Sequence, residues 1–168
     1  MFLFSYLYII HLHSSIMKIQ IHQNLTSNSQ KAFTLQNSKQ LGERKQNKIL
    51  YSKYEALYLA ETDKAEFAGK KPKLNKTEEN NYLAFKDLRK KGYIVKTGLK
   101  FGAEFRIYKP KEKHATHLVI PIKQSSRIDL KDFISKNRTA HSTGKKLLLA
   151  VVDNQQDISY YETNWIKI

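Results

Sequence analysis

The sequence predicts an α/β protein. A mixed sheet flanked by helices is expected over residues 73–168, preceded by a small α+β domain over residues 17–72. Three observations carry this. Residues 103–108, AEFRIY, alternate strictly between apolar and polar, the period of a half-buried strand. Residues 146–152, KLLLAVV, form the continuous apolar run of a strand buried on both faces. The run AGKKPKLNK, residues 68–76, has the Gly, Pro and Lys content of a linker and marks the boundary.

The elements follow in order. Phe2 to Ile10 is apolar but short, with no Lys or Arg before it. A membrane helix needs roughly 20 apolar residues, and a secretory signal opens on basic ones. Residues 1–16 are therefore expected to be an over-extended start or a loosely ordered tail, with Met17 opening the more ordinary MKIQIHQNL. Alternation in KIQI, residues 18–21, suggests a strand, and the polar stretch to residue 48 is weakly patterned. Tyr51 to Phe67 reads as an amphipathic helix with Tyr54, Leu57, Tyr58 and Glu61 at helical spacing.

Beyond the linker the signals sharpen. Thr77 is expected to cap a helix, with Glu78 and Glu79 near its positive end. Tyr82, Phe85 and Leu88 form its apolar stripe, and Gly92 stops it. Tyr93–Thr97 is a strand, and Gly98 and Gly102 bracket a turn. In the next strand Ala103, Phe105 and Ile107 face the core, while Glu104, Arg106 and Tyr108 share the other face. His117–Ile122 is a third strand. Asp129–Ser142 is a helix with Leu130, Phe133, Ile134 and Asn137 on one side. Lys146–Val152 and Ile158–Ile168 complete the order α-β-β-β-α-β-β, without an internal repeat.

Composition narrows the function. Thirty Lys and Arg against fifteen Asp and Glu give a net charge of +15, which attracts polyanions, chiefly nucleic acid or an anionic membrane. A lysine bias without any ligand is the plainer reading. A membrane-surface role needs a basic amphipathic helix, and the clear helices are not of that kind. With no cysteine there is no disulfide and no thiolate metal site, which fits a cytoplasmic protein.

The segment YKPKEKHATHLVI, residues 108–120, concentrates the candidate chemistry. His114 and His117 could chelate a metal only with ligands from elsewhere, and HxxH alone is a weak signal. Glu104 is followed by Phe-Arg, not by the x-Lys of a metal nuclease, so neither metal nor cofactor is expected. RNA cleavage without metal needs a base for the 2′-hydroxyl, an acid for the leaving 5′-oxygen and a cation on the phosphorane. Histidine suits the acid or base role near neutral pH. A tyrosine can act as base only where cations favour its phenolate. Tyr108 has Arg106 on its own strand face, with Lys109, Lys111 and Lys113 following. From the residues alone the plainer readings stay open: a strand-end tyrosine, an exposed loop histidine at 114, a packed His117 and an ordinary strand-start Lys145.

The carboxy-terminal half resembles the catalytic domain of the archaeal tRNA-splicing endonucleases, the tRNA-intron endonuclease family. YLAFKDLRKKGYIVKTGLKFGAEFRIY (residues 82–108), HATHLV (114–119) and RTAHSTGKKLLLAVVD (138–153) resemble its segments in family order, and ISYYETNWIKI is similar to its closing strand. YEALYLAETDKAEF (54–67) resembles, more weakly, a helix of its amino-terminal domain. The resemblance implies a restriction-endonuclease-like catalytic domain without a metal site. It implies cleavage of precursor tRNA at both intron boundaries in a bulge–helix–bulge motif, leaving 2′,3′-cyclic phosphate and 5′-hydroxyl ends.

By the same resemblance the tyrosine base falls on Tyr108, the histidine acid on His114 and the lysine on Lys145. His117 sits where the family has a large aromatic and is expected to be structural. The clamp on a bulged base falls on Arg138 and Trp165, with core packing the alternative for Trp165. Asp153 and Asp157, in VDNQQD, resemble an acidic loop that docks neighbouring subunits. Gly144 departs from the arginine many members carry before the lysine. The implied assembly is a tetramer, leaning to a heterotetramer with a structural subunit, since the amino-terminal domain is reduced. A noncatalytic RNA-binding subunit of the same assembly is the competing reading, and the retained Tyr108, His114 and Lys145 favour the enzyme.

Overall fold

A computed structural model describes residues 18–166 and 168, so the expectation for residues 1–16 lies outside the described residues. The chain divides into two compact units between Lys73 and Leu74.

In the first unit, strand β1 (Ile19–Ile21) pairs in parallel with a strand much later in the sequence. β2 (Thr26–Ser27), helix α1 (Gln30–Lys39), β3 (Glu43–Lys45) and β4 (Lys48–Leu50) follow, and β2, β4 and β3 form a small antiparallel sheet. This is more structure than the weak patterning of residues 18–48 suggests, because local caps rather than periodicity specify it. The Ser29 hydroxyl accepts from the Ala32 amide to start α1. Helix α2 (Lys53–Glu61) begins with a capping box between Ser52 and Glu55. The buried Glu55 carboxylate also accepts from the Gly42 amide at 2.9 Å, so it is buried with its acceptors used.

The expected helix over Tyr51–Phe67 is corrected here. It ends at Glu61, Asp63 takes a positive φ of 56°, and β5 (Ala65–Phe67) pairs with β1 through Ile19 and Ala65. Tertiary strand pairing overrides the helical period. The buried face of α2 is Glu55, Ala56, Leu57 and Leu59, with Tyr58 packed partly buried against the same core, so of the expected stripe Leu57 and Tyr58 face inward.

The second unit contains helix α3 (Lys76–Lys90), β6 (Ile94–Thr97), a 3-10 turn (Leu99–Phe101), β7 (Phe105–Tyr108), β8 (His117–Lys123), helix α4 (Leu130–Ser142), β9 (Lys146–Val152) and β10 (Ile158–Thr163). The sheet order is β10-β9-β8-β7-β6. All neighbours are antiparallel except β8 and β9, which run parallel with His117 opposite Lys146. This is the expected mixed α/β sheet flanked by helices.

Three local expectations change. The cap of α3 is Asn75, whose side chain accepts from Glu78 while Glu78 returns a bond to the Asn75 amide; Thr77 lies inside the helix. The closing strand stops at Thr163. On α4, Leu130 and Ile134 are 66% and 45% exposed, whereas Asn137 and Ala140 are buried. The helix is rotated because Phe133 and Ala140 set its contact with Leu118 and Leu147. Alanine was too weakly apolar to be read as the seam, yet its small side chain lets the helix approach.

Each face of the sheet has its own helix. Residues opposite one another in register share a face. Arg106, Leu118 and Leu147 therefore lie on one face, with Ala103 and Ala140 in the core beneath α4. Phe105, Val119 and Leu148 lie on the other, where Phe85 of α3 meets Phe105 at 5.9 Å between ring centroids. Tyr160 of β10 donates to Asp87 of α3 at 2.7 Å. Burial first, and then this bond, push the Tyr160 phenol well above its usual range. Gly98 is required by close approach, since a Cβ there would lie 2.7 Å from the Phe105 backbone.

At one end of the sheet three strands are tied by polar side chains. Glu162 of β10 accepts from Lys146 of β9 at 2.6 Å, and its other oxygen meets His117 Nε2 of β8 at 2.9 Å. The hydrogen bonds from Lys146 and His117 pull the Glu162 carboxyl from 4.5 down to about 2. A depressed carboxyl contributes stability fully above its ordinary value and loses it as pH falls through the native one. Glu162→Gln should therefore flatten the loss of stability between about pH 4.5 and 2, read from urea midpoints across that window. Leu147 is fully buried, so Leu147→Ala should lower unfolding free energy by about 2–5 kcal/mol in urea titrations with an unchanged slope.

Candidate active site

β7 and β8 are antiparallel, and β8 and β9 are parallel. The end of β7 and the starts of β8 and β9 must therefore meet at one end of the sheet. Tyr108 closes β7, His114 precedes β8, and Lys145 precedes β9. The topology thus gathers the ends that carry the three residues.

The segment between β7 and β8 is a short excursion held at both sides. Glu112 donates its amide to Lys109, and Lys111 takes a positive φ of 70°. Thr116 returns the chain by donating to the Ile107 carbonyl at 2.9 Å, and the Lys146 amide donates to Thr116 at 3.1 Å. His114 sits on this excursion, exposed, with no side-chain partner among the described residues. His117 differs. Its Nδ1 meets the Thr116 hydroxyl and its Nε2 meets Glu162, both at 2.9 Å. His117 is packed, with its side chain 14% exposed, as expected of a structural residue, but it is held by hydrogen bonds rather than apolar contacts alone and also lines a cleft.

That cleft has a volume of about 560 Å³ and is lined by Lys109, Lys113, His114, His117, Lys146 and Glu162, among others. Tyr108 and Lys145 are not in its lining. They lie toward the α4 face, linked through a run of rings and cations. The Arg106 guanidinium is 5.7 Å from the Tyr108 ring centroid and 6.0 Å from that of Phe101. The Lys145 ammonium lies 4.8 Å from the Phe101 centroid and donates to the Thr143 carbonyl at 2.7 Å. Lys145 and Lys146 alternate, so one faces Phe101 and the other faces the cleft.

The helix end fixes this pair. The Lys145 amide donates to the Ala140 carbonyl and the Gly144 amide to His141, the paired bonds of a Schellman motif. Gly144 takes the left-handed φ of 67° that this motif needs. The departure from arginine at this position has a backbone role.

The remaining candidates are more scattered. Arg138 is exposed on α4 beside a groove shared with Ile134, Thr139 and Ser142. Trp165 is 39% exposed, so it is not a core residue, and its ring packs against His141 in a tilted arrangement, with ring centroids 4.9 Å apart and planes at 51°. His141 lies three residues beyond Arg138 on the same helix. Asp153 and Asp157 close the turn between β9 and β10. The Asp153 carboxylate accepts from the Asp157 amide at 2.9 Å, and the Asp157 side is exposed. Among the described residues no three His, Cys, Asp or Glu side chains gather as a group able to hold a metal ion, and no helix is long and apolar enough to cross a membrane.

Sequence reading missed Lys146 and Glu162. Nothing marks a glutamate in a closing strand, and only the register of β10 on β9 brings it to His117.

Comparison with known proteins agrees with this architecture. Residues 79–160 match the family described as tRNA intron endonuclease, catalytic C-terminal domain. A tRNA-splicing endonuclease of Thermococcus kodakarensis is 37% identical, with 79% of this chain and 87% of that protein covered. The tRNA-splicing endonuclease of Pyrococcus abyssi is 36% identical over 79% of this chain and 85% of its own length. That of Methanothermobacter thermautotrophicus is 47% identical over a shorter span, 52% of this chain and 54% of its own. With more than a third of the aligned residues shared along most of both chains, and the catalytic domain matched across the sheet just described, this chain belongs to the tRNA intron endonuclease family.

Proposed function

We propose that the protein is an endoribonuclease that cuts precursor tRNA at both intron boundaries, in a bulge–helix–bulge motif, and leaves 2′,3′-cyclic phosphate and 5′-hydroxyl ends. One observation carries the reading: the ends of β7, β8 and β9 that bear Tyr108, His114 and Lys145 meet at one end of the sheet. Family membership supplies the substrate class, and the net charge of +15 suits an RNA partner.

The chemistry follows from the side chains. Tyr108 takes the proton of the 2′-hydroxyl, which attacks the adjacent phosphorus. His114 gives a proton to the departing 5′-oxygen. Its exposed ring, without a side-chain partner among the described residues, suits a group that must reach substrate, whereas both nitrogens of His117 are engaged. Lys145 supplies positive charge to the phosphorane, and Arg106 adds charge beside the phenol. RNA provides its own nucleophile, so the scheme needs no metal. Two cut sites per substrate call for two active sites, which supports a tetramer, with a structural subunit as the other half of a heterotetramer. Arg138 and Trp165 form the clamp on a bulged base, and Asp153 and Asp157 face a neighbouring subunit.

The test is cleavage of a bulge–helix–bulge RNA in EDTA, with product ends identified by mass spectrometry. Cyclic phosphate and 5′-hydroxyl ends are expected; no cleavage, with or without a structural subunit, would overturn the reading. His114→Ala should lower the single-turnover rate at saturating RNA by about 10²–10⁴-fold. His117→Ala should leave that saturated rate within about tenfold, because its ring takes no part in the proton transfers.

A further inference from the structure

We infer that His117 and Lys146 form a subsite for an RNA phosphodiester, and that the Glu162 carboxylate occupies the anion position of this subsite until RNA displaces it. The inference rests on the reading that the cleft receives RNA.

The geometry is that of an anion held by two donors. His117 and Lys146 are register partners at the starts of adjacent parallel strands, so their side chains stand side by side on one face. Each meets a different oxygen of the same carboxylate, His117 at 2.9 Å and Lys146 at 2.6 Å. The two non-bridging oxygens of a phosphodiester offer the same pair of acceptors. Lys109, Lys113 and His114 line the same cleft, opposed by Glu112 and Glu162. The hydrogen bonds from Lys146 and His117 hold the Glu162 carboxyl below its usual range, which agrees with a position that favours negative charge.

Glu162 is also free to leave. Its side chain is 39% exposed, and it lies on β10, the edge strand of the sheet. Its partner Lys146 is also half exposed, so an RNA phosphate can reach these donors from solvent and compete with the carboxylate. When the carboxylate swings away, the cleft gains one unit of positive charge where a phosphate enters. A cross-strand tie with no ligand role makes the opposite prediction: loss of Glu162 then leaves RNA affinity unchanged or weaker.

The experiment measures binding of a bulge–helix–bulge RNA carrying 2′-deoxy sugars at the cut positions, by fluorescence anisotropy at several salt concentrations. Glu162→Gln should tighten binding about 3–10-fold. Lys146→Met should weaken it about tenfold and lower the slope of log affinity on log salt by roughly 0.7–0.9, the value for one lost phosphate contact. In the Lys146→Met background Glu162→Gln should have no further effect. Unchanged or weaker binding by Glu162→Gln, with a thermal midpoint near that of the parent, would overturn the inference, and so would an unaltered salt slope for Lys146→Met. Inorganic phosphate is titrated in parallel. If Glu162→Gln strengthens inhibition by phosphate but not RNA binding, the subsite serves the free ion and the inference fails. Cleavage by the parent protein is scored separately, so a protein that cuts but ignores Glu162→Gln sinks the subsite alone.

Discussion

The parallel pairing of β8 and β9 is the constraint on which the second unit depends. Antiparallel neighbours can be joined by a hairpin, but parallel ones need a crossover. Here the crossover is α4, and it must cover the face that carries Leu118 and Leu147. One seam thus fixes the helix, the core beneath it and the end of the sheet at which both strands start. It also divides the sheet into two locally connected pieces, β6-β7-β8 and β9-β10. Tyr108 and His114 belong to the first piece, Lys145 to the second. The candidate site exists only once the seam has closed, so it is a property of the whole unit and not of either piece.

The alternation of a strand then assigns the two consecutive lysines different surroundings. Lys145 meets an aromatic ring, Lys146 a carboxylate. Neighbours in sequence are therefore separated by the thickness of the sheet. The Schellman motif at Gly144 sets the phase of this alternation, because it fixes the backbone from which β9 departs. A shift of one residue in that turn would exchange the two lysines.

Much of the second unit was legible in the sequence, for identifiable reasons. Phe105 and Ile107 alternate with polar residues, KLLLAVV is an apolar run typical of a buried strand, and Gly92 ends a helix with a clear Tyr82, Phe85, Leu88 stripe. These signals are local, and each agrees with the fold. Legibility failed where a nonlocal partner decided the outcome. β5 exists because β1 is beside it, and α4 is rotated because Ala140 rather than Leu130 meets the sheet. Within the site, Tyr108, His114 and Lys145 were found through motif resemblance and through the chemistry RNA cleavage needs. Glu162 has neither signal. Its place beside His117 depends on the register of an edge strand, which no short pattern encodes.

Phe101 has a consequence of another kind. A carboxylate that holds a cation also cancels its charge, whereas an aromatic ring holds it and leaves the charge intact. With Lys145 and Arg106 both on Phe101, this side of the sheet is a positioned source of positive potential that the ring itself does not neutralise. Such a potential extends into solvent over about a Debye length, some 8–10 Å at physiological salt. It acts on an approaching polyanion before any contact forms, raising the frequency of productive encounters and orienting them toward the strand ends. A single uncharged ring therefore influences association kinetics, through what it declines to neutralise.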